Sequence, residues 1–164
     1  MRNSGKHLHI ISFDIPYPAN YGGVIDVFYK LRALVSAGVK VHLHAFQYGR
    51  QSSKILEELC ESVHYYQRDV SKSQLFLKEP YIVVSRSSEQ LIKNLLSDDH
   101  PILFEGLHST HYLNDERLKK RKKIVRTHNI EHEYYKNLAK AESNIFKRYY
   151  FYNESSKLEI YESI

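Results

Sequence analysis

The sequence predicts an α/β domain, a parallel sheet with helices on both of its faces. Short apolar runs rich in Val, Ile and Leu alternate with stretches whose apolar residues recur at spacings of three and four. Glycine and proline punctuate the joins. The 164 residues make a single domain at ~100–200 residues per domain, long enough to bury about 70% of the surface an unfolded chain exposes.

The elements follow in order. His7–Asp14, HLHIISFD, is a short β-rich run that ends on an acid. PYPANYGG, closing at Gly23, carries prolines and a glycine pair and must be a loop. From Val24 to Ala37, residues Val24, Val27, Phe28, Leu31, Leu34 and Val35 form one helical stripe, and Gly38 stands where a C-terminal cap is expected. Val39–Phe46 alternates as a strand does. Strand, loop, helix, strand is a βαβ unit, right-handed in ~98% of cases.

The pattern continues with a helix over Ser52–Ser62, a strand over Val63–Gln67 and a helix over Ser87–Ser97, capped by Ser87 or Ser88. Pro101–Leu107 reads as a buried strand and Ile124–His128 as another. Residues 68–86 are the least legible, and Tyr81–Ser85 after Pro80 stays open between strand and other structure. From Glu131 onward the chain reads as helical with a break near Ser143–Asn144. Strands alternating with helices imply a Rossmann-like parallel sheet.

Composition narrows the function classes. A formal charge of +5 is mildly basic, and Cys60 is the lone cysteine, so no disulfide forms within the chain and no cysteine-based zinc spacing is present. The start, Met1 to Gly5, is polar, and no apolar run approaches the ~20 residues that span a bilayer. The chain reads as cytoplasmic, and a peripheral place on the inner membrane face is compatible with that. The run Lys119–Lys123, KKRKK, reads as a solvated connection or as a contact for anionic head groups. It lacks the interleaved aromatics of a nucleic-acid site, so no nucleic-acid partner is expected.

In open α/β sheets ligands bind beyond the carboxyl ends of the strands. That rule selects Asp14 with the Tyr17–Gly23 loop, Phe46–Gly49, Gly106–His111 and Thr127–Glu131. Gly22 and Gly23 sit ahead of a helix, where free N–H groups suit an anion such as a diphosphate; the bland alternative is a tight turn that needs positive φ. The pattern is not GxGxxG, which disfavours a dinucleotide. His108 and His111 follow a strand and could serve as a base or as an anchor for a sugar hydroxyl. His128, Glu131 and His132 spell H-x-x-E-H, a zinc-hydrolase signature, but the strand reading of Ile124–Thr127 takes His128 off the helix that chemistry requires. The alternative has Asn129 or Glu131 capping the next helix while His128 faces the cleft. The tail from Asn144, apolar over much of its surface, reads first as core, and its many tyrosines suggest a partly exposed face.

Phe13–Gly23 (FDIPYPANYGG), Val125–Tyr135 (VRTHNIEHEYY) and the tail RYYFYNESSKLEIYE together resemble the amino-terminal domain of bacterial family-4-type retaining glycosyltransferases of the GT-B fold. The resemblance implies transfer of a sugar from a nucleotide diphosphate sugar to an acceptor hydroxyl, without a bound metal or other cofactor. It implies a glycan or lipid-linked acceptor and a place in cell-surface glycan synthesis. On this reading His108 approaches the donor sugar as the catalytic candidate, and Asn20, Tyr21, Gly22, Gly23, His128, Asn129 and Glu131 line the substrate cleft. Residues 1–164 are then a single acceptor-side domain, without the carboxyl-terminal nucleotide-sugar domain, and inactive alone. A stand-alone glycan- or protein-binding module and a zinc hydrolase are the competing expectations.

Overall fold

The computed structural model of the chain describes residues 5–163; the polar start ahead of Gly5 and the last residue, Ile164, lie outside them. The strands are β1 (His7–Ser12), β2 (Lys40–Gln47), β3 (Ser62–Gln67), β4 (Ile102–Glu105) and β5 (Lys123–Arg126). They form one five-stranded sheet in the order β3-β2-β1-β4-β5, and every pairing is parallel. The helices are α1 (Gly22–Ser36), α2 (Lys54–Leu59), α3 (Tyr81–Val84), α4 (Glu89–Leu95), α5 (Glu131–Ala141) and α6 (Ile145–Glu162). This is the Rossmann-like α/β architecture.

Alternation along the strands divides the core. Ile10, Val41, Leu43 and Ala45 meet Val27, Phe28 and Leu31 of α1 and Leu56 of α2. On the opposite face Ile11, Phe46, Ile102 and Phe104 meet Leu91, Ile92 and Leu95 of α4. Burying each of these side chains larger than alanine contributes about 1.5–3 kcal/mol. Gly38 ends α1 at φ 82°, as a glycine after the helix should. Ser88 caps α4 by accepting from the Leu91 N–H at 3.3 Å, and Asn144 caps α6 by accepting from Phe146 and Lys147.

Some expectations change. Tyr81–Val84 is a helical turn, not a strand; Pro80 precedes it, where a fixed φ and a missing N–H favour a helix start. The tail helix α6 is not mainly core. It buries Glu154, Ser155 and Leu158 but leaves Ile145, Phe146 (82%) and Tyr149 (76%) exposed. The basic run is only partly solvated. Arg121 donates to the carbonyls of Leu95, Asp98 and His100, tying the end of α4 to the approach to β5, and Lys123 Nζ donates to the Leu113 carbonyl. No helix among the described residues is long and apolar enough to cross a membrane.

Candidate functional site

The carboxyl ends of β1, β4 and β5 lie side by side, and each is followed by residues singled out in the sequence. Phe13 joins them. Its ring centroid lies 5.5 Å from that of His108 and 5.9 Å from that of His128. Gly106, at φ 75°, makes the crossing possible: a Cβ there would stand 3.4 Å from both the His128 and Phe13 rings and 3.5 Å from His108 Nδ1. A side chain at this position would be strained by its backbone conformation, while its Cβ would only touch these rings.

The glycine pair works differently from a tight turn. Neither Gly22 nor Gly23 is among the residues with positive φ; they are the first two residues of α1, and no side chain caps its N-terminus. Gly23 is required by proximity, since its Cβ would stand 2.6 Å from Phe13 Cζ. Around Gly22 a Cβ would meet nothing within 4 Å. Gly23→Ala should therefore destabilise the chain by about 1–3 kcal/mol through overpacking against Phe13. Gly22→Ala should be neutral or stabilise by up to about 1 kcal/mol, because alanine is the better helix former. Urea titration of both variants checks this; equal midpoints would remove the Phe13 contact as the reason for Gly23.

The rest of the first loop is held by polar contacts. Tyr21 donates its hydroxyl to Asp14 Oδ2 at 2.8 Å, and burial, aided by Asp14, pushes that phenol up to about 12. Arg50 donates to Asn20 Oδ1 at 3.0 Å and lies over the Tyr21 ring. Arg86, unmarked in the sequence, is buried and donates to the Phe13 carbonyl at 2.8 Å and to the Ile82 carbonyl at 2.6 Å. Burial, with Arg68 nearby, lowers its guanidinium to about 9, which still leaves it charged at neutral pH.

His108 has a buried Nδ1 with no hydrogen-bond partner. Burial first, then the charges of Arg86 and Arg68, hold the ring down to about 3. It is thus a neutral imidazole at pH 7, suited to exchange a hydrogen bond with a ligand hydroxyl and a weak base. His128 Nε2 and Glu105 Oε2 are also buried without partners, and lie 3.5 Å apart. Glu105 is fully buried at the end of β4 and its other oxygen pairs with Lys30 of α1. Lys30 also reaches Asp26 at 3.3 Å, and Asp26 pairs with Arg126 at the end of β5. Asp26, Glu105 and His128 come close enough to share an ion, but Lys30 and Arg126 already neutralise both carboxylates.

The H-x-x-E-H residues are not arranged for zinc. His128 lies before α5, and His132 Nδ1 is bound to Glu162 of α6. Glu162 also accepts from the Glu131 N–H at 2.7 Å, so the α5 N-terminus is capped from α6 and not by Asn129 or Glu131. Glu131 is buried, with burial first and Glu162 second raising its carboxyl, while Asn129 is exposed. Of the sequence candidates, Gly23, His108 and His128 share the Phe13 contact, Asn20 and Tyr21 lie along the adjoining loop, Gly22 opens α1, and Glu131 turns toward α6. His111, the other histidine after β4, lines a separate surface concavity with Glu79, Ser88, Asp115 and Arg117.

The chain is 35% identical over 151 residues to an uncharacterized 44.6 kDa protein in the cps region of Klebsiella pneumoniae. The match covers 87% of this chain and 39% of that protein, so the chain spans about two-fifths of the relative's length. No family model matches the chain, and no solved structure gives a significant match.

Proposed function

We propose that the chain is the acceptor-side half of a retaining glycosyltransferase of GT-B architecture, which moves a sugar from a nucleotide diphosphate sugar to an acceptor hydroxyl in cell-surface polysaccharide synthesis. One observation carries this reading. Phe13 and His128 belong to the separate segments FDIPYPANYGG and VRTHNIEHEYY, and they meet each other and His108 at the carboxyl edge of the sheet, where such folds bind ligands. The relative's place in a cps region and its greater length agree with it.

In this reading the uncapped first turn of α1 faces the donor diphosphate, its N–H groups and helix dipole favouring negative charge. His108, neutral and with an unpartnered nitrogen, holds a hydroxyl of the donor sugar. His128 and the exposed Asn20, Tyr21 and Asn129 border the acceptor. Leaving-group stabilisation is often the largest single electrostatic contribution to transfer, and it belongs to the carboxyl-terminal domain of the whole protein.

The test is transfer of label from a panel of nucleotide diphosphate sugars to a lipid extract of the source cells, using the protein at its full native length. Label should reach the extract with one donor, and His108→Ala should lower the rate by about 100-fold or more, comparable to losing an oriented polar group at a reacting centre. Residues 1–164 alone should turn over nothing. No transfer with any donor, or an unchanged rate in His108→Ala, would count against the reading.

A further inference from the structure

At the amino end of the sheet, opposite the candidate cleft, the α4-facing side of the strands carries histidines where a core would have apolar residues. His9 pairs in register with His42, and His44 with His64, so their side chains share one face. Two hydrogen-bonded rows result. In the first, His9 Nε2 donates to Asp98 at 3.0 Å, His44 Nε2 donates to His9 Nδ1 at 2.8 Å, and Tyr66 donates to His44 Nδ1 at 2.7 Å. Asn94 completes that row by donating to the Tyr66 hydroxyl at 2.8 Å. Every ring nitrogen in it is used.

The second row is open. His42 Nδ1 meets Ser62 Oγ at 2.8 Å, and His42 Nε2 meets His7 Nδ1 at 2.9 Å. The ring of His100, from the turn between α4 and β4, stacks on His7 with centroids 4.4 Å apart. Among the described residues its ring nitrogens take no hydrogen-bond partner. One nitrogen from each of His7, His42 and His100 falls within 4.8 Å of the others, and all three side chains are only partly buried.

We propose that His7, His42 and His100 form a three-imidazole site for a divalent transition-metal ion of the zinc or cobalt class. The donor set fits the chemistry: imidazole suits these ions, and three protein nitrogens leave a position for water. Zinc–nitrogen bonds of about 2.0–2.1 Å put ligand nitrogens about 3.3 Å apart around a tetrahedral ion. His7 and His42 therefore need to part slightly, and the stacked His100 ring must turn about its Cβ–Cγ bond to aim a nitrogen at the ion. Ser62 holds His42 in the orientation that presents Nε2, the outer-shell role common at metal histidines. The ion would tie β1, β2 and the α4–β4 turn together at the end of the sheet away from the cleft, so its role is structural.

The experiment is titration of the untagged 164-residue chain with Co(II), followed by competition with Zn(II). One ion per chain should bind with the visible absorption of a four-coordinate nitrogen site, and the melting temperature should rise with metal concentration. His7→Ala, His42→Ala and His100→Ala should each weaken binding at least ~10-fold, and Ser62→Ala should do so to a lesser degree. His100 lies in a turn, so its variant remains informative if the strand variants fail to fold. Absence of saturable binding would overturn the site. So would full affinity in His100→Ala, including binding that is lost instead in His128→Ala.

Discussion

Replacing Lys30 with methionine should cost the chain about 3–5 kcal/mol, the range for breaking a buried ion pair by removing one partner. Glu105 has no exposed surface, and Lys30 is the cation bound to its Oε1. The loss comes less from the attraction that disappears than from the carboxylate left inside without compensation. The double variant Lys30→Met, Glu105→Gln separates these contributions. It removes both charges together, and replacing a buried pair by neutral groups of similar volume is often near neutral. Urea midpoints of the two single variants and the double should therefore be strongly non-additive, with the double recovering most of the stability lost in Lys30→Met. Additive losses, or a Lys30→Met cost below about 1 kcal/mol, would show that the pair is not a buried electrostatic unit.

That pair also marks what a sequence can and cannot disclose. Lys30 and Glu105 are 75 positions apart, and no local period connects them; only the order of strands and the placement of α1 bring them together. The acid in PILFEGL was nevertheless a signal, because a carboxylate inside a buried strand requires a partner. The first βαβ unit was legible because its apolar residues recur at the periods of a strand and a helix, and Gly38 stops the helix where it should. Ser88 was legible as a cap because its side-chain oxygen can take up a free N–H group of a first helical turn, whereas Asn144 was legible only as part of a helix break.

Other features depend on neighbours. Tyr81–Val84 is four apolar residues after a proline, too short for periodicity to separate strand from helix. Arg86 follows that turn, which is why the cation holding the Phe13 carbonyl went unmarked. The alternation of VKVHLHAF showed His42 and His44 on one strand face, but not that His7, His9, His64 and His100 would gather beside them, since that depends on parallel register. The expectation of a core helix at the carboxyl end overlooked that β5 is an edge strand, with Ile124 and Val125 themselves exposed. The likeness of the sequence segments brought forward Gly23 and His128 by motif and His108 by its place after a strand; the glycine at 106 that allows them to converge needed the positive φ to be seen.

Lowering pH should destabilise the chain, and His108→Gln should reduce that sensitivity. The folded state holds His108 down to about 3, against an ordinary value of 6.5. An unfolded chain therefore takes up a proton at this residue near pH 6.5, while the folded chain does not. Stability rises with pH wherever the unfolded state binds more protons, so the contribution of His108 is fully present above pH 6.5. It declines as pH falls and levels off near the folded value of about 3. The cause is desolvation first and neighbouring charge second: the imidazole is surrounded by protein, and charging it would place a cation beside Arg86, Arg68 and His128. Because His108 keeps some exposed surface, the effect is smaller than full conversion of the shift, on the order of 2–3 kcal/mol. Glutamine retains a polar side chain and cannot titrate. His9 and His44, also held neutral by burial, are present in both chains and cancel in the comparison. Urea midpoints of wild type and His108→Gln, measured with a chelator from pH 7.5 to 4, should draw together as pH falls. Parallel curves would show that His108 is solvated in the folded chain, and its role as a neutral hydrogen-bonding group in the cleft would go with them.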